Sequence, residues 1–338
     1  MYCSPRLQPP STRIPGPLRD RLGALLAGRA RHAGGRRRGL CLFALGWLGD
    51  FVLAVSAIRL LLRERAPADC ALVVAPAAAD FAQGQFPGVE CRVLPADAAS
   101  LCRDILPLWR TQRHRLGTDR FDRLVCFSHQ RPLYYELALS WIDAAENLRL
   151  TRETYPQEPA DGLGTELLAH WRLVERALGR PVAREEILPQ LTGVVTTEDG
   201  RLLVCPFSRD PGRHLPADLL PGVLRRWREN SRAPIVLGGS PDERSALERL
   251  AGAIGLSRLT VETPAGFDGL LAQVARAGAI LAADSAPAHL ATALDKHTVT
   301  LTSRPFYGYG QPWTRSSRQQ VFVHGTPPEQ VAAALPAL

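Results

Sequence analysis

The 338-residue chain carries 41 basic and 33 acidic residues, a formal net charge of +8, with 46% hydrophobic and 22% charged residues. Nine arginines against the single acid Asp20 place that whole excess in residues 1–38. The remainder is neutral and lacks the spread basic face that nucleic-acid binding requires. Forty of the 41 basic residues are arginine, and the one lysine, Lys296, stands between Asp295 and His297. That excludes a Gly-Lys-Ser/Thr phosphate loop and nearly excludes Schiff-base chemistry.

The seven cysteines form no C-x-x-C pair, and several sit in apolar runs such as LVCF and LLVC, so they read as reduced core thiols. No His/Cys grouping has metal-ligand spacing, and no metal site is expected. Length and composition suit a globular protein of two domains.

Residues 1–38, with prolines at 9, 10, 15 and 17, read as a disordered basic leader. Arg36–Arg38 ahead of the apolar stretch Leu40–Leu62 has the charge order of a signal anchor. Against insertion, Asp50 in mid-stretch would cost about 2.5–3.5 kcal/mol at a bilayer centre, and Gly46, Gly49 and Arg59 interrupt the run. The favoured reading is a buried strand over Leu40–Leu45, the turn GWLGD at 46–50, and a helix from Phe51 to about Arg65. Asp50 then either caps that helix or offers a carboxylate that takes a proton from a substrate hydroxyl.

Further strands are expected at Ala71–Ala75, Cys91–Leu94, Leu124–Phe127 and Asn147–Leu150, with helices over 98–113 and 132–142. Residues 151–164 are polar, an amphipathic stretch follows over Thr165–Ala177, and the domain junction falls at 190–200, dividing 39–195 from 196–338. The second series predicts strands at Leu202–Cys205, Pro234–Leu237, Leu259–Val261, Ala279–Ala283 and Thr298–Leu301. Helices separate them at about 217–228, 242–253, 267–276 and 287–294. Alternating strands and helices imply parallel sheets, and two such halves would face each other across a cleft at the carboxyl ends of their strands.

Two motifs follow strands of the second half. In CPFSRDPGRHLP, at 205–216, Ser208 and Arg213 suit a diphosphate, the arginine through its two-pronged fork, or else the segment is a solvated surface loop. In ILAADSAPAHLATAL, at 280–294, small residues lead from a strand into a helix with Pro287 in its first turn. Its amides and dipole would favour an anion. His289 would face that anion or merely pack.

In their order, these motifs resemble glycosyltransferase family 9, the lipopolysaccharide heptosyltransferase family, over residues 39–338. GDFVLAVSAIRLLLRERAP is similar to the family's opening, with Ser56 where proline is usual, and ADSAPAHLATAL to its D-(S/T)-G-x-x-H-x-A-x-A signature. FDRLVCFSHQR and WRLVERALGRPV are weaker matches. GGSPDER, at 238–244, resembles the family's G-G-x-x-(D/E) turn, and YGYGQPW, at 307–313, falls at another donor-side loop.

The resemblance implies an α/β fold of GT-B type, with two Rossmann-like domains facing across a cleft. It implies an inverting, metal-independent glycosyltransferase moving a sugar, heptose from ADP-heptose, to a saccharide or lipid-linked acceptor of the cell envelope. Asp50 becomes the general base. The donor would be held by Ser208, Arg213, Glu243 (with Asp242 the neighbouring alternative), Asp284, Ser285, Ala286 and His289. His129 and Arg131, after a predicted strand, would meet an anionic acceptor. The nucleotide sugar is a co-substrate, and no further cofactor is implied.

The protein would be cytoplasmic. Its leader is either a dispensable extension or a means of peripheral attachment to the inner face of the cytoplasmic membrane. Arg213 replaces the family's usual lysine, Leu215 its tryptophan and Ala286 its glycine, the last a concern if that position needs a positive φ. These departures motivate the alternatives of a nucleotide-sugar-binding protein with altered catalysis, or another enzyme of the same architecture such as a nucleotide-sugar epimerase.

Overall fold

The computed structural model describes residues 36–94, 116, 119–128, 133–150, 154–156, 163–303 and 313–338. The expected helix over 98–113, the acceptor candidates His129 and Arg131, residues 1–35 of the leader and the 307–312 part of the aromatic turn lie outside these. The chain divides into two compact units, one of residues 1–45, 65–76 and 88–149, the other of residues 46–64, 77–87 and 150–338.

The first unit is built on β1 (Arg37–Ala44), β2 (Cys70–Val74), β3 (Glu90–Val93), β4 (Arg120–Cys126) and β5 (Asp143–Arg149). They form one sheet in the order β3-β2-β1-β4-β5, with every pairing parallel. β2 is buried along its whole length, as expected of a parallel strand covered on both faces. Phe43, Val73, Leu124, Leu139 and Trp141 are among the core residues.

Strand β1 begins at Arg37, three residues ahead of the expected Leu40, because its first residues are held by charge rather than by apolar burial. The buried Arg38 donates to Glu90 and to Asp119, the latter at 3.1 Å, and through Nη2 to the carbonyls of Ala68 and Cys70 at 3.0 and 2.6 Å. Arg92 binds the same two carboxylates. Burial alone would raise the Glu90 carboxyl, but the two guanidiniums hold it below its usual range. Two buried cations thus depend on two acids, of which Asp119 is the better enclosed.

The second unit contains α1 (Leu48–Leu62), α2 (Ala79–Gln85), α4 (Thr165–Leu178) and α5 (Arg184–Ile187), while α3 (Leu133–Ser140) belongs to the first. It continues through β6 (Leu202–Cys205), α6 (Leu219–Asn230), β7 (Ile235–Gly238), α7 (Arg244–Ile254), β8 (Leu259–Glu262), α8 (Gly266–Arg276), β9 (Ala279–Ala283), α9 (Ala286–Ala293), β10 (His297–Thr302), β11 (Gln319–Val323) and α10 (Pro328–Ala333). The sheet order is β11-β10-β9-β6-β7-β8, again all parallel. Strand β6 pairs with both β7 and β9, so the order reverses there, and loops leaving β6 and β9 flank the crevice at their carboxyl ends.

Helix α1 packs on α4 and α9. Ser56, where the family favours proline, is buried and donates to the Leu188 carbonyl at 2.8 Å while accepting from the Gln190 amide at 3.0 Å. Arg59 donates to the Gln190 carbonyl and to Gln85, whose side chain also binds the Thr192 backbone. Residues 188–192 are thereby strapped to α1. The apolar stretch Leu40–Leu62 is split between β1 and α1, and among the described residues no helix is long and apolar enough to cross a membrane.

Asp119→Ala should cost about 3–5 kcal/mol, the range for stranding buried charge, whereas Glu90→Ala, removing a half-exposed partner, should cost about 1 kcal/mol or less. Denaturant midpoints of the two variants give the comparison, and equal losses would refute the unequal burial of the cluster.

Candidate active site

The turn between β1 and α1 positions Asp50. The helix starts at Leu48, earlier than the expected Phe51, so Asp50 is its third residue and not its N-cap, which is Trp47. Its Oδ2 accepts the Trp47 amide hydrogen at 2.9 Å, so the carboxylate does satisfy the helix start, from inside the first turn. Gly46 makes room for this arrangement, since a Cβ there would lie 3.0 Å from Asp50 Oδ2.

Gly49 brings α1 against α9. A Cβ on Gly49 would lie 3.1 Å from His289 Cδ2 and 3.7 Å from the Ala286 backbone. The two helix starts therefore touch through a missing side chain. Ala286 is the first residue of α9, and among the described residues the non-glycine positions with positive φ are Arg258 and Asp295. The alanine thus sits without backbone strain where the family has glycine.

At the start of α9, the Ala288 and His289 amides donate to the Ser285 carbonyl at 3.0 and 3.3 Å. Ser285 Oγ donates to the Ala283 carbonyl at 3.2 Å, and Pro287 has no N–H to offer.

The β6–α6 loop supplies the cation. A turn at Pro211–Arg213 is closed by Asp210, whose side chain accepts the Gly212 amide at 3.0 Å. Arg213 is set between two acids, with Nε 3.8 Å from Asp210 Oδ2 and Nη1 3.6 Å from Asp284 Oδ2. His214 Nε2 donates to the Ser208 carbonyl at 2.7 Å, which fixes its tautomer and leaves Ser208 buried within the loop. Leu215, where the family has tryptophan, is a core residue.

Asp284 is 3% exposed, with His289 Nε2 3.7 Å from its Oδ1, and that oxygen has no hydrogen-bond partner among the described residues. Burial pushes its carboxyl up to about 7, with the Arg213 guanidinium opposing the rise and the Asp50 charge adding to it. Burial pulls the His289 imidazole down to about 4, with Arg213 adding to the fall and Glu166 opposing it. His289 is accordingly a neutral ring near pH 7.

The structure thus brings together Asp50, Arg213, Asp284, Ser285, Ala286 and His289, with Ser208 in the same loop as Arg213. Glu243 is on the loop after β7, the strand next to β6. Its Oε2 accepts the Ser240 amide at 2.7 Å and its charge adds to the burial that raises the Cys205 thiol. Asp242, by contrast, is exposed. Sequence reasoning missed the pairing of Trp47 with Arg209, whose guanidinium lies 3.1 Å from the indole centroid. Trp47 lies in GWLGD and Arg209 in CPFSRDPGRHLP, but nothing in the order of residues joins them.

Two all-parallel sheets of Rossmann order, with an anion-favouring helix start and a cation at the second sheet's reversal point, define an α/β enzyme of GT-B type. E. coli heptosyltransferase WaaC, solved with ADP, is similar over 88% of this chain and 98% of its own, at 16% identity and a TM-score of 0.67. E. coli ADP-heptose LPS heptosyltransferase II matches over 88% and 97%, at 16% identity and 0.63. A family 9 glycosyltransferase of Veillonella parvula matches over 90% and 98%, also at 16% identity and 0.63. No curated protein matches the sequence. Residues 109–331 match glycosyltransferase family 9 (heptosyltransferase), and the chain belongs to that family. It is a glycosyltransferase, which takes a nucleotide-sugar donor and a saccharide acceptor.

Opposite shifts at Asp284 and His289 should oppose each other in the pH dependence of stability. Asp284 holds a proton more tightly folded than unfolded, so its contribution is full below about 4 and lost as pH rises through about 7. His289 holds one less tightly, so its contribution is full above about 6.5 and lost as pH falls towards about 4. Relative to wild type, His289→Gln should gain stability on acidification from about pH 6.5 to 4.5, and Asp284→Asn should lose it, by up to about 1.4 kcal/mol per pH unit. Urea midpoints across that range test both signs, and parallel curves for all three proteins would refute the assignment.

Proposed function

We propose that this glycosyltransferase is an inverting, metal-independent enzyme that moves heptose from ADP-heptose to a saccharide or lipid-linked acceptor of the cell envelope. The observation that carries the reading is the meeting of the α1 and α9 starts at Gly49, which puts Asp50 beside the Arg213–Asp284–His289 group. A carboxylate and an anion site in one place are what transfer from a diphosphate-linked sugar needs. The ADP of the E. coli WaaC structure favours adenosine as the nucleoside.

In this mechanism Asp50 accepts the proton of the acceptor hydroxyl as that oxygen attacks the anomeric carbon from the face opposite the leaving diphosphate. The bond to the diphosphate oxygen breaks, and the configuration at the anomeric carbon inverts. Charge growing on the leaving group is met by the Arg213 guanidinium, the Ser208 hydroxyl, the Ser285 and Ala286 amides and the positive end of α9. These fixed charges and dipoles do the work of a cation. The neutral His289 packs behind the helix start and keeps it in place.

Glu243 accepts ribose hydroxyls, since a carboxylate already bound to one amide retains acceptor capacity. His129 and Arg131 meet an anionic group of the acceptor.

Asp50→Asn should bind donor as wild type does and lose at least about a hundredfold in rate, because a positioned base supplies ~10² to 10⁴. Retained turnover would remove the base assignment. Arg213→Ala should weaken donor binding and slow transfer together, and an unchanged donor affinity would dismiss the phosphate role. Titration of ADP-, UDP- and GDP-linked sugars, read by calorimetry, should favour the ADP series. Preference for a uridine or guanosine donor would overturn the donor assignment.

A further inference from the structure

Arg213 is shared between two carboxylates and hydrogen-bonded tightly to neither, its nitrogens standing 3.8 Å from Asp210 and 3.6 Å from Asp284. The two acids differ in surroundings. Asp210 is exposed, whereas Asp284 is enclosed. Among the described residues, the charged or titratable groups that face Asp284 are Arg213 from the β6–α6 loop, Asp50 from α1 and His289 from α9, while β10 meets it through the Leu301 carbonyl. His289 brings no charge near neutrality, since it is buried beside the Arg213 cation, with Glu166 of α4 as its acidic neighbour. A carboxylate at Asp284 is therefore supported by Arg213, is opposed by Asp50, and has one oxygen with no hydrogen-bond partner among the described residues.

A diphosphate at the start of α9 would compete for that guanidinium and add negative charge beside Asp284. Either change disfavours the ionised carboxylate. We propose that Asp284 is a proton-linked ligand of the donor: diphosphate binding draws Arg213 to the phosphates, Asp284 takes one proton from solvent, and the new O–H donates to a phosphate oxygen. This inference rests on the reading that the nucleotide diphosphate occupies the α9 start. No bond to the donor forms or breaks in the step, and the only species consumed is the solvent proton. A buried carboxylic acid kept neutral so that it can donate a hydrogen bond to an oxyanion is an established use of an apolar site. Oδ2, the oxygen that faces Arg213 and loses it to the phosphates, carries that proton, and the rise of the Asp284 carboxyl to about 7 in the unliganded protein puts the uptake near neutral pH.

The probe is ADP-glucose, whose diphosphate diester has no group titrating near neutrality. Its binding to the full chain is measured by calorimetry near pH 7 in PIPES and in imidazole, whose ionisation enthalpies differ. Wild type should take up about half a proton per ADP-glucose bound, and its Kd should rise with pH above 7, approaching about tenfold per unit. Asp284→Asn should bind with no uptake and with a Kd that does not change between about pH 6 and 8. Zero uptake by wild type, or uptake preserved in the variant, overturns the inference. If the variant does not fold, the wild-type buffer pair and pH series decide alone. Binding of ADP-glucose without proton uptake leaves the nucleotide-sugar reading standing, whereas failure of both ADP-glucose and ADP to bind removes that reading and the inference with it.

Discussion

The close approach of α1 to α9 at Gly49 is the constraint on which the site depends. Helices seldom come so near at their first turns, because side chains at the contact hold their axes about 8–10 Å apart. Here a single methyl group would intrude on His289. The Asp50, Arg213, Asp284 and His289 side chains are arranged around that contact. Asp50 is one residue beyond Gly49, Ala286 abuts it from the other side, and Asp284 and Arg213 follow from the crevice where β6 and β9 part. The glycine is thus fixed by the partner helix, and the strapping of residues 188–192 onto α1 by Ser56, Arg59 and Gln85 holds the helix that carries it.

This geometry also accounts for the local chemistry. Two acids lie near enough to one another for the charge of Asp50 to raise the Asp284 carboxyl, and the structure gives them different environments. Asp50 is bound to the Trp47 amide in the first turn of α1. Asp284 has burial and an incomplete set of partners, which favour its neutral form.

The central strands were readable because they are short, continuous apolar runs buried on both faces, so that Leu202–Cys205 and Ala279–Ala283 fall where the sequence places them. Readings failed where something other than apolar burial sets an element. β1 starts early because ion pairs hold Arg38, and α1 starts early because the Asp50 carboxylate closes a turn that glycine seemed to open. β11, mostly half-buried or exposed at a sheet edge, and the six-residue α10 packed on α6 gave no signal above their surroundings. At the site, residues within single motifs were legible and pairings between motifs were not. Asp50, Arg213, Asp284 and His289 could each be named, but the stack of Arg209 on Trp47 joins segments more than 150 positions apart.

The departures from the family pattern separate by what they ask of the backbone. Ala286 asks nothing, because the residue is helical and the closeness it might have blocked is provided by Gly49 opposite. Ser56 gives a mid-helix position two hydrogen bonds to a neighbouring segment that proline could not make. Arg213 for lysine is of another kind, since a guanidinium presents several donors in a fixed plane and can lie between two carboxylates, where an ammonium concentrates its charge at one point. Its contacts with Asp210 and Asp284 use that breadth. In a chain with a single lysine, the substitution retains the positive charge at this position.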